Sequence, residues 1–530
     1  MDKVRKVIAD GRAVLGIEFG STRIKAVLIG EEHEIIATGI HDWENRLENG
    51  IWTYSREEII GGLKAVYSNL SDAVMSAYGI RISKLAAMGI SAMMHGYLAL
   101  DDKREFLAPF KTWRNTTTQL AASELTRKLH FNIPQRWSIA HLYNEILNKE
   151  EHLARIDYLT TLDGFIHYLL TGEKVLGIGS ASGMFPIDSE KKDYDEERLA
   201  WFEELAAQKG FDKKLRSILP KVLVAGEMGG HLTQEGARIL DEAGYLEPGC
   251  VLAPPEGDAG TGMVATNAVR EKSGNVSAGT SIFSMIVLEH PFKSIHEEVD
   301  LVTTPDGKAV GMIHCNNCSS DINAWVSVFR QYSELMGMGV DTESLYQKLF
   351  DEALNGAKDC GGVMSYNLFS GEPILGISEG RPLLMRSPKA DFSLANLMRS
   401  ILYSAFATLK IGNDILKNQE QVEIDSIVAH GGLFKTKGVA QSILAAALNV
   451  PVTVLETGAE GGPWGMAILA SYMIEKSEGE SLADYLERAI FTGCKRFTVN
   501  PDKDDVLGFE RYTNQYLNAL AAEKEAGRFS

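Results

Sequence analysis

The segment from Val14 to Gly30, VLGIEFGSTRIKAVLIG, predicts two β-strands joined by a short turn. The apolar residues on either side of Gly20-Ser21-Thr22 have the length and composition of buried strands. Glycine permits backbone conformations that other residues resist, and the amides and hydroxyls of such a turn form a concave site suited to an anion. Lys25 adds a positive charge, and Glu18 adds a carboxylate that could hold a metal ion or its water. The segment therefore predicts either a plain hairpin or a site for the phosphates of a magnesium nucleotide.

A second segment, Gly274 to Leu288 (GNVSAGTSIFSMIVL), repeats this design. A short strand leads into Gly279-Thr280-Ser281, and an apolar, β-rich strand follows. Two phosphate-type hairpins roughly half a chain apart favour a duplicated unit, in which each half supplies one hairpin to a shared cleft. The sequence G-x-x-x-x-G-K-[ST] does not occur in the chain, so this is not a Walker-type phosphate loop.

The composition limits the class of protein. A chain of 530 residues that is 45% hydrophobic can bury more than one core, which predicts two domains. The formal net charge of −18 disfavours nucleic acids and acidic membranes as partners. The chain has no apolar run of membrane-spanning length, and its first residues lack the apolar core of a signal peptide, so we expect a soluble, cytoplasmic protein. The oligomeric state stays open, and a homodimer is one possibility.

The five cysteines are too few and too irregularly spaced for a disulfide framework. Cys315 and Cys318 form the one suggestive pair. A structural zinc site needs four ligands, and no second C-x-x-C or H-x-x-x-H sequence completes one. The simpler interpretation is a loop between a strand that ends at Ile313 and a helix that begins near Ile322.

A candidate ligand-binding segment follows the strand predicted from Leu85 to Ser91. The strand runs into Ala92-Met93-Met94-His95-Gly96. In an α/β sheet, residues just past the carboxyl end of a strand face the ligand crevice. His95 is therefore a candidate ligand-binding residue, and a histidine with a purely structural role is the alternative.

The segment Val251 to Met263 places Asp258 at the start of a glycine-rich helix. By itself this position predicts a helix N-cap. The helix dipole also keeps such a carboxylate ionised, so that it can accept a proton from a hydroxyl group. Phosphoryl transfer needs a carboxylate oriented toward the attacking oxygen, and Asp258 is our candidate for it.

A further glycine pair comes after the strand predicted from Ile424 to Ala429. That strand runs into His430-Gly431-Gly432. Glycines at the end of a strand allow a flat base to approach the backbone closely. Gly431 and Gly432 are therefore candidates for contact with a nucleotide.

These motifs, in this order, resemble the FGGY carbohydrate kinases, a branch of the actin, hexokinase and heat-shock-chaperone ATPase superfamily. The resemblance runs from about Leu15 to Ala470. It implies an α/β fold with two actin-like (ribonuclease H-like) domains, each with a mixed sheet flanked by helices, and a ligand cleft between them. We expect a sugar-binding domain at 12–268, a domain with the second hairpin and the adenosine site at 269–476, and a helical extension at 477–530 packed on the second domain.

The resemblance also implies an activity, the transfer of the γ-phosphoryl group of ATP to a hydroxyl of a sugar. Met94-His95-Gly96 matches a Met-His-Gly that contacts the sugar in xylulokinases, and Asp258 falls on the catalytic base of the family. Trp113 matches the tryptophan of the family's Trp-x-Asp-x-Arg, near the sugar. Asn115 stands in place of its aspartate and Thr117 in place of its arginine. An amide still binds hydroxyl groups, so Asn115 remains a candidate sugar ligand.

For the nucleotide, the resemblance implies ATP and Mg²⁺ as cofactors. The residues expected at the phosphates are Gly20, Ser21, Thr22, Lys25, Gly279, Thr280 and Ser281. Gly431 and Gly432 are expected at the adenosine, preceded by His430 where relatives carry glycine. Glu18 and Asp258 are the expected metal-binding carboxylates, with Glu18 standing where relatives carry aspartate.

The sequence predicts a ketopentose as the sugar, with D-xylulose favoured by the Met-His-Gly segment. L-ribulose, as in the ribulokinases, or another ketose or polyol stays open. A different class of protein, a nucleotide-binding sensor of the same fold without sugar phosphorylation, is the rival hypothesis. Glu18, Asn115 and His430 depart from the family pattern and support the rival, whereas Asp258 and the second hairpin support a kinase.

Overall fold

The computed structural model describes residues 2–436, 438–456 and 461–529. The α-helices are α1 Asp2–Ala9, α2 Arg56–Tyr78, α3 Gln119–Leu129, α4 Ser138–Asn148, α5 Leu162–Thr171, α6 Ile178–Ser182, α7 Glu196–Ala207, α8 Gln234–Leu240, α9 Asp258–Ala265, α10 Ser319–Leu335, α11 Thr342–Leu354, α12 Leu394–Asn418, α13 Val439–Leu448, α14 Gly461–Glu475, α15 Leu482–Tyr485, α16 Lys503–Asn518 and α17 Leu520–Ala526.

The β-strands alternate with these helices, as expected for an α/β protein. They are β1 Val14–Phe19, β2 Arg23–Ile29, β3 Ile35–Asp42, β4 Arg46–Glu48, β5 Ile51–Thr53, β6 Ala87–Ala92, β7 Leu98–Leu100, β8 Tyr158–Thr160, β9 Val175–Gly177, β10 Ile187–Asp188, β11 Asp193–Tyr194, β12 Lys221–Leu223, β13 Gly230–His231, β14 Val251–Leu252, β15 Glu256–Gly257, β16 Ser273–Ala278, β17 Ile282–Val287, β18 Asp300–Thr303, β19 Ala309–Cys315, β20 Val363–Tyr366, β21 Leu383–Arg386, β22 Ser426–His430, β23 Val452–Leu455 and β24 Arg496–Val499.

The chain divides into two compact units. The first contains the described residues within Met1–Val269, Asp300–Val310 and Glu460–Gly493, and the second contains those within Arg270–Val299, Gly311–Ala459 and Cys494–Ser530. The main segment of the first unit ends at Val269, beside the predicted boundary between residues 268 and 269, and the predicted domain bounds stay a prediction. Two segments, 300–310 and 461–493, were predicted within the second domain or its extension but belong to the first unit.

The first unit is built on a mixed sheet with the order β13-β14-β6-β1-β2-β3, and β15 pairs with β6. The predicted hairpin is present: β1 and β2 are antiparallel, with Val14 opposite Ile29 and Phe19 opposite Ile24. On its other side β1 pairs with β6 in parallel. Leu15 and Ile17 are fully buried, which explains why β1 is nearly continuously apolar.

The second unit repeats this arrangement. Its sheet contains β19, β17, β16, β22, β23 and β24 in that order. The second predicted hairpin is formed by antiparallel β16 and β17, and β22 pairs in parallel with the other side of β16. The two predicted hairpins are therefore present, one in each unit, and in each the first strand is also flanked by a parallel strand.

The packing of α14 explains its place in the first unit. A Cβ atom added to Gly16 of β1 would lie 2.0 Å from the carbonyl oxygen of Pro463 and 2.7 Å from the backbone nitrogen of Ala467. The backbone of α14 thus lies directly against β1, an approach that only a glycine in the strand permits. The helix is mostly apolar, but apolarity does not tell which sheet a helix covers.

The predicted C-terminal helix is present as α16 in the second unit. Its side chains Phe509, Tyr512 and Tyr516 are buried, and the ring of Phe509 lies 4.3 Å from that of Tyr403 on α12. Arg399, also on α12 and 1% exposed, forms an ion pair with Asp505. These aromatic side chains therefore form the buried face of α16 in the second unit. Across the described residues, the helices are all too short or too polar to cross a bilayer.

A buried carboxylate in the second unit gives a prediction on stability. Glu420, 1% exposed, accepts hydrogen bonds from the backbone N–H groups of Lys293 (2.9 Å) and Ser294 (3.1 Å) and pairs with His296 Nε2 at 2.6 Å. Burial acts to raise the pKa of Glu420, but these hydrogen bonds outweigh it, and the pKa lies below the ordinary 4.5. The carboxylate therefore stabilises the fold above pH 4.5, and this contribution is lost as the pH falls through the lowered pKa.

We expect Glu420→Gln to lower the free energy of unfolding by about 1–3 kcal/mol at pH 7, because it removes charged hydrogen bonds from a buried site. The difference between variant and wild type should shrink as the pH falls below 4.5. Urea denaturation at pH 7 and near pH 4 measures both. Glu423→Gln, which removes an exposed ion pair with Lys272, is the matched control and should change little. An equal loss at both pH values would contradict the assignment.

Candidate functional site

Asp258 is the first residue of α9, directly after the short strand β15. The N-cap position belongs to Gly257, so the predicted cap lies one residue earlier than expected. The carboxylate of Asp258 accepts the backbone N–H of Met94 at 3.3 Å. Its side chain reaches solvent, yet the surrounding protein reduces its hydration and raises its pKa to about 6. The group is therefore fixed in direction and still ionised at neutral pH.

The segment Met94-His95-Gly96 lies at the carboxyl end of β6, as predicted. His95 and Gly96 have positive φ angles of 69° and 96°, and a positive φ is a strained conformation for histidine. The His95 ring is 4% exposed, bonds through Nδ1 to the carbonyl oxygen of Gly183 at 3.1 Å, and stacks on Trp137. A Cβ atom on Gly183 would lie 2.7 Å from Nδ1, so glycine there is required for this position of the ring.

The loop that carries Trp113 lies against the same segment. Gly96 approaches Lys111 so closely that a Cβ atom would lie 2.5 Å from its carbonyl oxygen, and Tyr97 donates its backbone N–H to that oxygen at 2.8 Å. The indole N–H of Trp113 donates to Ser21 Oγ at 3.1 Å. The structure thus brings the predicted sugar residue Trp113 into contact with the first predicted phosphate turn.

Asn115 has a different environment from the one expected of a sugar ligand. It is 3% exposed, and its side-chain amide forms hydrogen bonds with the backbone N–H and carbonyl oxygen of Trp52 at 2.9 and 2.8 Å. It also donates to the carbonyl oxygen of Thr112 at 3.0 Å. These bonds use both ends of the amide to hold its own loop against β5.

The first turn, Gly20–Thr22, is closed by a hydrogen bond from the Gly20 N–H to the carbonyl oxygen of Arg23 at 3.0 Å. Thr22 is exposed, and Ser21 and Lys25 are half-buried. Lys25 lies directly opposite Glu18 in the hairpin register. The turn, the lysine and the carboxylate are therefore neighbours, as the sequence predicted.

Glu18 is confined by the first turn of α14. A Cβ atom on Gly462 would lie 1.4 Å from Glu18 Oε2 and 3.0 Å from Thr261 Oγ1. Burial, and next the negative charge of Asp258, raise the pKa of Glu18 to about 8, while Lys25 acts to lower it. Gly462 is a site residue that sequence reasoning missed, and the pair Gly461-Gly462 before Pro463 was the available signal.

The donor set fits a magnesium ion. Glu18 and Asp258 supply carboxylate oxygens, which Mg²⁺ prefers. Burial, and next the charge of Asp258, disfavour the ionised form of Glu18 and so raise its pKa, and a divalent cation would favour that form. Elsewhere in the described chain, Glu145, Glu150 and His152 have ligand atoms within 4.8 Å of one another, but Glu145 is already paired with Lys111.

A second buried carboxylate, Glu256, lies two residues before Asp258 and was also missed. It accepts the backbone N–H of Gly179 at 3.3 Å and its neighbour Gly257's N–H at 3.0 Å. Burial raises the pKa of Glu256 to about 8, with a further contribution from Asp163. Cβ atoms on Gly177 or Gly179 would lie about 2.6 Å or closer to its oxygens. The two glycines of the sequence VLGIG at residues 175–179 were the signal for a side chain packed against this backbone.

In the second unit, the turn Gly279–Ser281 is held by the start of α10. The N–H of Cys318 donates to the carbonyl oxygen of Thr280 at 2.9 Å, and that of Ser319 to Gly279 at 3.2 Å. Gly431, with φ of 106°, lies against the strand before this turn, since a Cβ atom would lie 2.3 Å from the carbonyl oxygen of Ala278. The described residues thus bring Gly431 to the second turn, and Gly432 is exposed beside it.

Family models match most of the chain. The N-terminal domain of the FGGY family of carbohydrate kinases matches residues 13–243, and the C-terminal domain of the same family matches residues 274–474. The chain belongs to the FGGY family of carbohydrate kinases. It is therefore a phosphotransferase that acts on a carbohydrate, and the family implies ATP as the phosphoryl donor.

Relatives of known name agree with this family. A xylulose kinase of Haemophilus influenzae is 24% identical over 451 residues, which cover 82% of this chain and 84% of the relative. A xylulose kinase of Lactococcus lactis is 24% identical over 51% of this chain and 52% of the relative. A glycerol kinase of Thermococcus kodakarensis is 24% identical over 48% of each.

Solved structures share the fold. A ligand-bound xylulose kinase from Lactobacillus acidophilus has a TM-score of 0.76 at 17% identity and covers 98% of this chain and 100% of its own. A gluconate kinase from the same organism has a TM-score of 0.75 at 16% identity, over 98% and 99%. The similarity confirms the predicted α/β class with two actin-like domains.

The contact between Gly462 and Glu18 can be tested by measuring how substitutions at these two positions change the stability of the protein. We expect Gly462→Ala to destabilise the protein by about 1–3 kcal/mol, because the new methyl group overlaps the carboxylate. Adding Glu18→Ala should remove that penalty. Gly61→Ala on α2, where a Cβ atom meets nothing within 4 Å, is the matched control and should be neutral or slightly stabilising. Thermal unfolding measures all four proteins, and an unrelieved loss in the double variant would contradict the contact.

Proposed function

We propose that this kinase transfers the γ-phosphoryl group of ATP to a hydroxyl of a ketopentose, with D-xylulose as the first candidate. The observation that carries the proposal is the hydrogen bond from the Met94 N–H to the carboxylate of Asp258. It joins the segment with the xylulokinase-type Met-His-Gly to the carboxylate best suited to act as a base. The similarity to a xylulose kinase over 82% of the chain supports the same substrate class.

Asp258 is the proposed general base. The backbone N–H groups of Met94 and Ala259 orient its carboxylate, and a pKa of about 6 leaves it ionised at neutral pH. In this role it accepts the proton of the sugar hydroxyl as the hydroxyl oxygen attacks the γ-phosphorus. The phosphorus–oxygen bond to ADP breaks in the same step, so placement and charge neutralisation do most of the catalysis.

His95, Met94 and Gly96 are the proposed sugar ligands at the end of β6, with Trp113 beside them. The strained backbone at His95 supports this role, because strain persists where the surrounding structure fixes a functional geometry. Asn115 is proposed to act indirectly. Its amide is committed to the backbone of Trp52, so it holds the Trp113 loop in place.

For the nucleotide, we propose that the turns Gly20–Thr22 and Gly279–Ser281 bind the phosphates, with Lys25 contributing charge. Gly431 and Gly432 are the proposed adenosine contacts, supported by the exposed backbone that follows β22 and by the close approach at Gly431, which only glycine permits. Glu18 and Asp258 would hold Mg²⁺. When bound, Mg²⁺ would neutralise part of the negative charge on the phosphate oxygens.

A substrate panel tests the reaction. ADP release should depend on D-xylulose, and L-ribulose, glycerol and gluconate are the comparison substrates, since relatives of this chain carry the names of glycerol and gluconate kinases. Activity with another member of the panel, and none with D-xylulose, would reject D-xylulose as the substrate but would still support sugar phosphorylation.

Asp258→Asn should lower turnover on the best substrate by about 10²–10⁴-fold, because the amide cannot accept the proton. Its oxygen can still accept the Met94 N–H, so the local fold should be retained. Thermal unfolding and equilibrium binding of ATP without Mg²⁺ provide the controls, because Asp258 is also a proposed ligand of Mg²⁺. Hydrolysis of ATP that is independent of every sugar and unaffected by Asp258→Asn would favour the nucleotide-binding sensor instead.

Glu18 gives a second prediction. We expect Glu18→Asp to retain activity and Glu18→Ala to lose at least about tenfold, because only a carboxylate can share the charge of Mg²⁺. The dependence of the rate on Mg²⁺ concentration should shift in the alanine variant and not in the aspartate variant. Unchanged turnover in Glu18→Ala would remove Glu18 from the mechanism.

A further inference from the structure

The backbone carbonyl groups of the first turn are all engaged by hydrogen bonds. The carbonyl oxygen of Gly20 accepts the indole N–H of Trp43 at 2.7 Å, and that of Thr22 accepts the backbone N–H of Trp43 at 3.2 Å. The carbonyl oxygen of Ser21 accepts the hydroxyl of Tyr54. Within the described chain, the N–H groups of Ser21 and Thr22 have no acceptor.

Two of these donors, Trp43 and Tyr54, pack against each other. With Trp113, whose indole N–H donates to Ser21 Oγ, they make up what we call the aromatic support. The rings of Trp43 and Tyr54 stack at 3.9 Å with an angle of 19° between them, and Phe19 contacts Trp43 edge-on at 5.5 Å. Tyr54 is 1% exposed. Such side chains have little freedom, so the hydrogen bonds they donate have fixed directions.

This arrangement matters because a peptide carbonyl that pointed at a phosphate would repel it, whereas an N–H group attracts it. Donors that hold all three carbonyls leave the N–H groups of the turn available for an anion. A turn of three residues that includes a glycine would otherwise sample several orientations of its peptide groups. The cost of ordering those groups would then fall on nucleotide binding.

We propose that the aromatic support positions the first turn for phosphate binding, and that Trp113 couples this turn to the sugar site. The proposal rests on the proposed function for the roles of the turn and the sugar segment. Trp113 belongs to the loop that packs on Gly96, and its indole N–H donates to Ser21 Oγ. A sugar that orders the Trp113 loop would therefore also order Ser21, and MgATP would bind more tightly in its presence.

Tyr54 tests the positioning role alone. Tyr54→Phe removes one hydroxyl and leaves the stacked ring, so we expect MgATP affinity to fall about three- to tenfold with the KM for the sugar unchanged. Tyr78→Phe is the matched control, because it also removes a hydroxyl that donates to a backbone carbonyl, that of Ile36 at 3.2 Å, at the far end of the hairpin. Equal MgATP affinity in both variants would overturn the positioning role.

A double-mutant cycle tests the coupling. Trp113→Phe and Ser21→Ala each remove one partner of the hydrogen bond, and the measured quantity is the ratio of MgATP dissociation constants without and with sugar. Each single variant should bring this ratio about three- to tenfold closer to one, and the double variant should lower it no further. Trp201→Phe, on α7 against His130, is the control and should keep the wild-type ratio. Additive effects of the two substitutions would overturn the coupling.

The two proposals fail in different ways. MgATP affinity is measured by calorimetry on the intact protein, so the comparison of Tyr54→Phe with Tyr78→Phe does not depend on the sugar. If no sugar is phosphorylated but Tyr54→Phe weakens MgATP binding, the proposed reaction fails and the positioning role stands. If a sugar is phosphorylated and Tyr54→Phe binds MgATP like the wild type, the proposed reaction stands and the positioning role fails.

Discussion

The register of three parallel strands in the first unit is the constraint on which its site depends. Ser91 of β6 lies opposite Glu18 of β1 on one side and opposite Glu256 of β15 on the other. Residues paired across parallel strands point to the same face, so the two carboxylates and the serine form one row, just before the strands end. Asp258 follows two residues later. A slip of one residue in either pairing would turn the row to the opposite face and dismantle the site.

The sequence predicted the parts of this site that local patterns encode. Alternating and continuous apolar runs predicted both hairpins, and the glycine-rich start of α9 singled out Asp258. The remaining parts depend on contacts between distant segments. Asn115 bonds to Trp52, 63 residues earlier, and the collision that requires glycine at position 462 involves a carboxylate at position 18. No local pattern reports such distances, and for the same reason α14 was expected in the second domain.

The carboxylates explain why this region carries so many glycines. Burial raises the pKa of Glu18, Glu256 and Asp258, and such groups need either backbone N–H partners or a bound cation. Gly179 supplies an N–H to Glu256, and a Cβ atom there would lie 2.5 Å from the carboxylate. A side chain at position 179 would therefore displace the carboxylate of Glu256 and break its hydrogen bond with the Gly179 N–H. Several buried carboxylates with raised pKa values at one edge of a sheet are unfavourable for stability, and such an arrangement is typical of functional sites.

In both turns, hydrogen bonds hold backbone carbonyl groups in place, but the donors of these bonds differ. In the second unit, backbone N–H groups at the start of α10 hold the carbonyls of Gly279 and Thr280, and no substitution short of proline can remove a backbone N–H. In the first unit, the side chains of Trp43 and Tyr54 donate to the carbonyl oxygens of Gly20 and Ser21, and a single substitution can remove either of these two hydrogen bonds. The first turn can therefore be tuned by mutation one bond at a time, whereas the second is fixed by the fold. Because the first turn also contacts Trp113, the adjustable turn is the one linked to the segment that would choose the sugar.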